Sequence, residues 1–338
     1  MWTEAKLEQL LTEPSAKLIE DMAKIKGDIM ILGAGGKMGP TLAILARKAR
    51  QASGTPGDVI AVSRFSDPLV VAGLQDAGVR ILPADLMADG SLDMLPDAPN
   101  IIYMAGRKFG TAGGEAETWS LNASLPTLVS RRFRGVNMVV FSTGNIYPLT
   151  GLDTGGCLEE DQPQPVGEYG MSCLARERVF EHAARIYGTR VLLYRLNYAV
   201  DLRYGVLLDL AAKLMQNEAI SLRTPGFNCI WQGYANEVAI RSLLVAGSPA
   251  VRLNVTGPEI VSIAYAARQL GRYLGREPVF SGEPSTQAFI SNAGICHERF
   301  GYPEVTLNTL IRWQAEWILD GGRKLGKPTH FEEREGKY

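Results

Sequence analysis

The stretch Asp28-Ile29-Met30-Ile31-Leu32 runs without a break into Gly33-Ala34-Gly35-Gly36-Lys37-Met38-Gly39, and a helical pattern follows from about Met38 to Ala52. No other feature limits the fold as strongly. A short apolar run of this kind reads as a strand buried on both faces, and such strands belong to parallel sheets covered by helices. The glycines recur at every third position, as Gly33, Gly36 and Gly39. Glycine leaves backbone N–H groups open to an approaching phosphate, and the following helix N-terminus adds a favourable dipole. A strand, a glycine turn and a helix in this order predict a cradle for the pyrophosphate of a dinucleotide. The spacing is GxxGxxG, because Met38 occupies the last glycine position of GxGxxG.

The rest of the chain extends the alternation. Strands are expected at 58–62, 79–82, 100–104, 136–141, 189–195 and 251–255. Helices are expected at 68–77, 115–132, 169–187, 206–216, 260–274 and 307–319, and residues 3–25 read as an amphipathic helix broken near Pro14. Right-handed crossovers make this an α/β protein with a doubly wound parallel sheet, the Rossmann architecture, and a smaller interleaved C-terminal substrate domain. The expected division is an N-terminal helical segment at 1–26, a dinucleotide domain at 27–198 and 228–256, a substrate domain at 199–227 and 257–326, and a loose polar tail at 327–338.

Composition narrows the function. With 338 residues, 46% hydrophobic and 21% charged, and a net charge of -1, the chain is an ordinary globular protein. Neither nucleic acid nor a membrane is expected as a partner. Residues 1–25 mix charges with apolar residues and hold no signal-peptide core. Cys157, Cys173, Cys229 and Cys296 form no CxxC pair and suggest a reducing, cytoplasmic setting. His182, His297 and His330 have no metal-ligand spacing, so no metal is expected.

The end of the second strand normally reads the adenosine ribose. Here it is Val62-Ser63-Arg64, with no acid before Asp67. The planar fork of Arg64 and the hydroxyl of Ser63 suit a 2′-phosphate, so NADP is expected, with NAD as the other possibility.

A second constellation lies further on. The strand Val139–Phe141 ends in Ser142-Thr143-Gly144-Asn145, and Tyr169 opens a helix after Glu168. A hydroxyl and a tyrosine so placed can hold a substrate oxygen and relay its proton while a hydride moves.

With these landmarks in order over residues 27–320, the sequence resembles the extended short-chain dehydrogenase/reductases, the family of nucleotide-sugar epimerases and dehydratases. The resemblance implies that Gly33, Gly35, Gly36, Lys37, Met38 and Gly39 hold the pyrophosphate. It implies that Asp85-Leu86 contacts adenine and that Met104-Ala105-Gly106 flanks the cofactor. Asn122 takes the place of the family asparagine, and Leu253-Asn254-Val255-Thr256-Gly257 resembles the late strand leading to the substrate domain. Thr143 takes the catalytic Ser/Thr position and Tyr169 that of the catalytic tyrosine. A homodimer through the helices at 115–132 and 169–187 is implied as well.

One position departs from the pattern. The family motif is YxxxK, and here Tyr169 is followed at that spacing by Cys173. A neutral thiol does not lower a phenol pKa as an ammonium does. Three readings stay open. Another cation substitutes, with Lys108 or Arg107 as candidates; the chemistry needs no tyrosinate; or catalysis is lost and a cofactor-binding regulator or scaffold remains. Cys173 stands among the catalytic candidates by its spacing from Tyr169; with no activating base nearby in sequence, a buried, unreactive thiol is the favoured reading over a nucleophile. Gly144-Asn145 replaces the Asp-Glu of the sugar dehydratases. Oxidation or epimerisation of a hydroxyl or keto carbon on a sugar, sugar acid or nucleotide sugar therefore fits better than dehydration. Candidate substrate contacts are Arg107, Asn145, Asn197, Tyr198, Arg203, Arg223, Trp231 and Gln232. Glu159-Glu160-Asp161 reads as a solvated loop.

Overall fold

The structure is a computed structural model that describes all residues except Phe109, Ala112, Pro328 and Tyr338. Its centre is a seven-stranded, wholly parallel sheet. The strands are β1 (Ile29–Leu32), β2 (Val59–Ser63), β3 (Arg80–Pro83), β4 (Asn100–Tyr103), β5 (Asn137–Thr143), β6 (Arg190–Leu196) and β7 (Val251–Val255). Their spatial order is β7-β6-β5-β4-β1-β2-β3, so the order reverses beside β1. Ligands of open α/β sheets sit at this kind of switch point, outside the carboxyl ends of the strands. β1 and β4 are buried at every residue, which is why their sequences are unbroken apolar runs rather than alternating ones.

Helices cover both faces. On one lie α2 (Ala16–Met22) and α3 (Gly39–Ser53), packed through Leu18, Met22, Leu42, Leu45 and Ala46 against Ile29 and Ile31. On the other lie α6 (Leu125–Arg132) and α7 (Gly167–Tyr187), packed through Val129, Phe180 and Ala184 against Met30, Ile101 and Val140. The helix expected at 115–132 is interrupted. α5 (Glu115–Trp119) passes into a π turn at Ser120–Ser124 before α6 begins. A π turn re-aims the side chain it carries, here Asn122. α4 (Pro68–Asp76) is capped by Asp67, whose carboxylate accepts from the Leu69 amide at 2.9 Å.

The second lobe is helical. α8 (Val206–Gln216), α10 (Ile263–Leu274) and α12 (Leu307–Leu319) enclose a core of Leu210, Leu214, Leu270, Ile311 and Trp317. Three expectations are corrected here. The N-terminal helices are not a separate segment. α1 (Glu4–Thr12) buries Leu7 and Leu11 in the helical lobe, with Trp2 edge-on to Trp313 at 5.3 Å, whereas α2 packs on the sheet. The tail is not loose, since Phe331 is buried in the same helical core and Thr329 and Gly336 are buried too. Residues 294–300 form α11 (Gly294–Phe300), which returns Cys296 and Phe300 to the sheet's core rather than to the substrate lobe. A further helix, α9 (Gln232–Arg241), lies against α3 and was not legible as an amphipathic pattern, because all but one of its residues are buried.

No helix among the described residues is long and apolar enough to cross a membrane. All four cysteines are free and buried.

A buried polar cluster ties β5, β6, β7 and α7 together. Arg195 Nη2 and Nε bond Glu177 Oε2 and Oε1 at 2.8 and 3.0 Å, with both side chains wholly excluded from solvent. Ser142 donates to Glu177 at 2.6 Å, Arg195 to the Tyr147 hydroxyl at 2.5 Å, and Tyr147 to Asn254 at 2.9 Å. Removing one partner of such a pair leaves an uncompensated buried charge. Glu177→Ala is therefore expected to lower the unfolding free energy by about 3–5 kcal/mol in urea titration. A loss under about 1 kcal/mol, the range of an exposed ion pair, would show that the pair is not the clamp it looks to be.

Candidate functional site

The glycine turn is built by close approach. The Gly33 and Ala34 amides donate to the Val62 carbonyl at 2.9 and 3.1 Å, and the Met104 amide to that of Leu32 at 2.8 Å. A Cβ on Gly33, whose φ is +91°, would stand 2.6–2.9 Å from the Met104–Ala105 backbone. One on Gly39 would stand 2.3 Å from the Ala34 carbonyl, so α3 could not start where it does. Gly36 has only the Gly33 carbonyl nearby, at 3.6 Å, and is exposed. That leaves the helix N-terminus open to an anion, the arrangement a pyrophosphate requires.

From this turn a cavity of about 700 Å³ opens along the carboxyl ends of the strands. Of the residues expected at the cofactor, Gly33, Gly36, Lys37, Met38, Met104 and Gly106 line it. Gly35, Gly39, Ala105, Ser63, Arg64, Asp85 and Leu86 do not. Ser63 lies at the turn's outer edge, its hydroxyl 2.6 Å from where a Cβ on Gly35 would be, and Arg64 is exposed beside it. Asp85 is exposed and caps the Met87 amide at 3.0 Å, while Leu86 is buried in the core, which argues against an adenine contact for that side chain.

Thr143 ends β5 and Tyr169 stands in the first turn of α7; both line the cavity. The Tyr169 phenol hydrogen-bonds the side chains of Thr143 and Cys173. Thr143 also donates to Asn145 Oδ1 at 3.0 Å and accepts from its amide at 3.2 Å. Burial, and then the Cys173 thiol, push the Tyr169 phenol well up, while Arg176 pulls it down. Cys173 is fully buried, and burial raises its thiol too, so it is not a nucleophile in this setting. Lys108 lies with its Nζ 5.8 Å from the Tyr169 ring centre and 5.9 Å from that of Tyr198. Desolvation in the cavity pulls its amine down to about 8.

Arg176 was not anticipated. Its guanidinium lines the cavity and is held by the Phe141 carbonyl at 2.8 Å and Asn122 Oδ1 at 2.6 Å. Asn122 also accepts from the Arg107 amide at 2.8 Å and donates to the Arg107 carbonyl and to Ser172, at 2.9 and 3.0 Å. A Cβ on Gly106 would fall 2.3 Å from Arg176 Nη2, so the small residue beside the cofactor wall makes room for this cation. The signal was available: Arg176 follows Tyr169 by seven positions, two helical turns on the same face.

The substrate candidates divide. Arg107, Asn145, Asn197, Tyr198 and Gln232 line the cavity. Asn197 is pinned by Asn228 at 2.7 Å. Trp231 is buried in the helical core, 5.6 Å from Trp313 and edge-on to it, and offers no face to a sugar. Arg203 joins Asp201, Glu4 and Glu8 and fastens α1 to the lobe. Arg223 is exposed and away from the cavity walls. Glu159, expected in solvent, is buried and accepts from the Asn254 amide at 2.9 Å. Among the described residues no group of three His, Cys, Asp or Glu side chains is placed to hold a metal.

No protein-family model matches the chain, and no curated protein matches it in sequence. Solved structures do match in shape. UDP-glucuronic acid 4-epimerase from Bacillus cereus, in complex with UDP-glucuronic acid and NAD, superposes with a TM-score of 0.70 at 15% identity, covering 87% of this chain and 99% of that one. UDP-glucose 4-epimerase from Thermotoga maritima, with UDP-glucose, gives 0.67 at 16%, covering 87% and 99%. The Thermus thermophilus UDP-glucose 4-epimerase complex with NAD gives 0.67 at 16%, covering 86% and 98%. The chain shares the fold of these epimerases. At this identity the likeness is one of fold, and the chemistry must be argued from the residues.

Lys37, at the foot of the turn, has its Nζ 3.3 Å from the Tyr204 ring centre. Burial, then Lys108 and Lys327, pull its amine down to about 6. Such an amine is mostly neutral at pH 7.5, and an anion bound beside it raises its pKa. Dinucleotide binding at pH 7.5 is therefore expected to take up protons. Titration calorimetry in buffers of different ionisation enthalpy measures this; identical heats in all buffers would contradict the placement of Lys37.

Proposed function

We propose that the chain is a nicotinamide-dinucleotide-dependent enzyme of the extended short-chain dehydrogenase/reductase type. It transfers a hydride at a hydroxyl- or keto-bearing carbon of a sugar, sugar acid or nucleotide sugar. The observation that carries this reading is the Thr143–Tyr169 hydrogen-bonded pair on the wall of the cavity that begins at the glycine turn. The fold neighbours support it, since two of those named were solved with NAD and two with UDP-sugars. Ser63 and Arg64 favour NADP in this chain and the neighbours favour NAD; the lack of an acid at the end of β2 tilts the proposal to NADP.

When bound, the dinucleotide supplies the hydride acceptor or donor. Gly33, Gly36 and the start of α3 would hold its pyrophosphate, and Met104 and Gly106 would flank the nicotinamide end. Thr143 orients the substrate oxygen. Tyr169, kept protonated by burial, donates its hydrogen bond to a developing oxyanion in the reduction direction. In the oxidation direction the substrate hydroxyl must lose its proton. Lys108, with an amine near 8 and its Nζ 5.8 Å from the Tyr169 ring centre, is the nearby group suited to accept that proton. Arg176 cannot exchange protons; its fixed charge steadies the pair from the position one turn beyond Cys173. Two cations thus divide what a single lysine does in YxxxK. Gly144-Asn145 supplies no acid–base pair for dehydration, so oxidation or epimerisation is proposed.

Exposed Trp119, Leu128, Met171 and Ile186 on α5, α6 and α7 support a homodimer through these helices, which sedimentation can test.

Across a panel of sugars, sugar acids and nucleotide sugars, oxidation is read as the change in absorbance of the reduced nicotinamide, and epimerisation, which returns the cofactor to its starting state, as the appearance of the epimer by NMR. Tyr169→Phe is expected to lower kcat by about 10²–10⁴-fold. The rate of oxidation is expected to rise with pH through about 8, as Lys108 loses its proton, and Lys108→Met to abolish that inflection. Tight cofactor binding with neither an absorbance change nor an epimer formed over the whole panel would favour a regulator or scaffold instead.

A further inference from the structure

Residues 325–327 and 329–337 cross from one lobe to the other over the cavity. The Leu325 amide bonds the Arg203 carbonyl at 3.0 Å, where the crossing begins. Thr329 then donates its amide and hydroxyl to Asp209 at 2.8 and 2.6 Å. Phe331 is buried among the helices, and Glu332 pairs with Lys213 at 2.6 Å. Arg334 donates to the carbonyls of Arg223 and Gln287 at 2.7 and 2.5 Å. Gly336 then sits back to back with Gly167, two residues before Tyr169. A Cβ on Gly336 would lie 2.3 Å from the Val166 carbonyl, and one on Gly167 2.5 Å from the Gly336 carbonyl. The strap is thus anchored at α8 and at the start of α7, and Gly326, Lys327, Thr329 and His330, at and just before the α8 anchor and just after it, form part of the cavity wall.

The side chains that line the wall it completes are basic or neutral, with Asp209 behind Thr329. Lys37, Arg107, Lys108, Arg176 and Lys327 line the cavity, and no carboxylate lines it among the described residues. The pyrophosphate of an oxidised dinucleotide brings two negative charges and its nicotinamide one positive charge. Lys37 stays mostly neutral until an anion binds and Lys108 is only partly charged, so Arg107, Arg176 and Lys327 supply the standing positive charge. It exceeds the one net negative charge of the cofactor and that of nearby Asp209, and a second anion would balance it. Space is limited as well. The cavity of about 700 Å³ begins at the glycine turn, so the nicotinamide end of the cofactor and the substrate must share it.

We infer that the carboxy-terminal strap is the substrate wall, and that Lys327 and His330, with Lys108, select a compact anion: a single sugar ring bearing a carboxylate or a phosphate, without a nucleotide. This rests on the hydride-transfer reading and narrows its substrate class. It also separates the chain from its fold neighbours solved with UDP-sugars.

The test is titration calorimetry on the full chain saturated with NADP. The probes are D-glucuronate and glucose 6-phosphate as compact anions, D-glucose as the neutral ring and UDP-glucuronate as the bulky anion. At least one compact anion is expected to bind tenfold or more tighter than glucose, with UDP-glucuronate weaker than either anion. Lys327→Gln is expected to weaken the compact anion about tenfold, well beyond any change in NADP affinity. Gly336→Leu, which wedges the strap off Gly167 without touching the cavity wall, is expected to admit UDP-glucuronate. Wild-type protein that binds UDP-glucuronate tighter than the compact anions, or that binds no compact anion, overturns the inference while the hydride-transfer reading stands. Equal anion affinity in Lys327→Gln and wild type overturns it too. Failure to bind NADP or NAD at all would instead remove the reading on which it rests.

Discussion

The site depends on an ion pair that never meets a ligand. Arg195 on β6 and Glu177 on α7 are both fully buried, and Ser142, next to Thr143, donates to the same carboxylate. Through them the end of β5 and the body of α7 are held at fixed separation. That separation places the Thr143 hydroxyl on the Tyr169 phenol. A buried pair of this kind adds little net stability over apolar packing, and its effect lies in register: any slip leaves a charge without a partner. Arg195 extends the same constraint to Tyr147, and Tyr147 to Asn254 on β7, so three adjacent strands end in one hydrogen-bonded layer beneath the cavity.

On that layer the chain rearranges the charges around its tyrosine. The position that would carry a lysine four residues after Tyr169 holds a fully buried thiol. The cations stand instead at Arg176, further along the helix, and at Lys108, on the loop after β4. Asn122, turned inward by the π turn, links Arg176 with the Arg107 backbone and Ser172. The phenol is therefore hydrogen-bonded but not held as a tyrosinate, and the proton has to pass to a group with a lower pKa. The carboxy-terminal strap closes the remaining side. Its anchors are polar pairs and one phenylalanine, Phe331, which joins the apolar core of the helical lobe.

How far this was legible follows from what each residue buries. The sheet was plain in the sequence because Ile29–Leu32, Val59–Val62 and Val139–Phe141 are apolar on both faces, as parallel central strands must be. The glycine turn was plain because only glycine tolerates the close approaches at Gly33 and Gly39. α9 was not, since Gln232, Asn236 and Arg241 look like surface residues. Their partners, Thr41 for the two amides and Asp21 for the arginine, come from distant segments. Trp231 and Arg203 were misplaced for a related reason: an aromatic or a guanidinium has the same composition whether it faces a ligand or a core. Arg176 did not stand out because it lies beyond the YxxxK spacing, which ends at Cys173. The tail was read as loose because its charges, seen alone, have no pattern; Glu332 and Arg334 find partners only in the fold.

The central claim is that Thr143 and Tyr169 face the reactive end of a bound dinucleotide, and a structure of the chain grown with NADP tests it most directly. The account predicts pyrophosphate density against Gly33, Gly36 and the start of α3, with the nicotinamide between Met104–Gly106 and the Thr143–Tyr169 pair. Dinucleotide density that leaves the nicotinamide ring away from that pair, or none at the glycine turn, would contradict it.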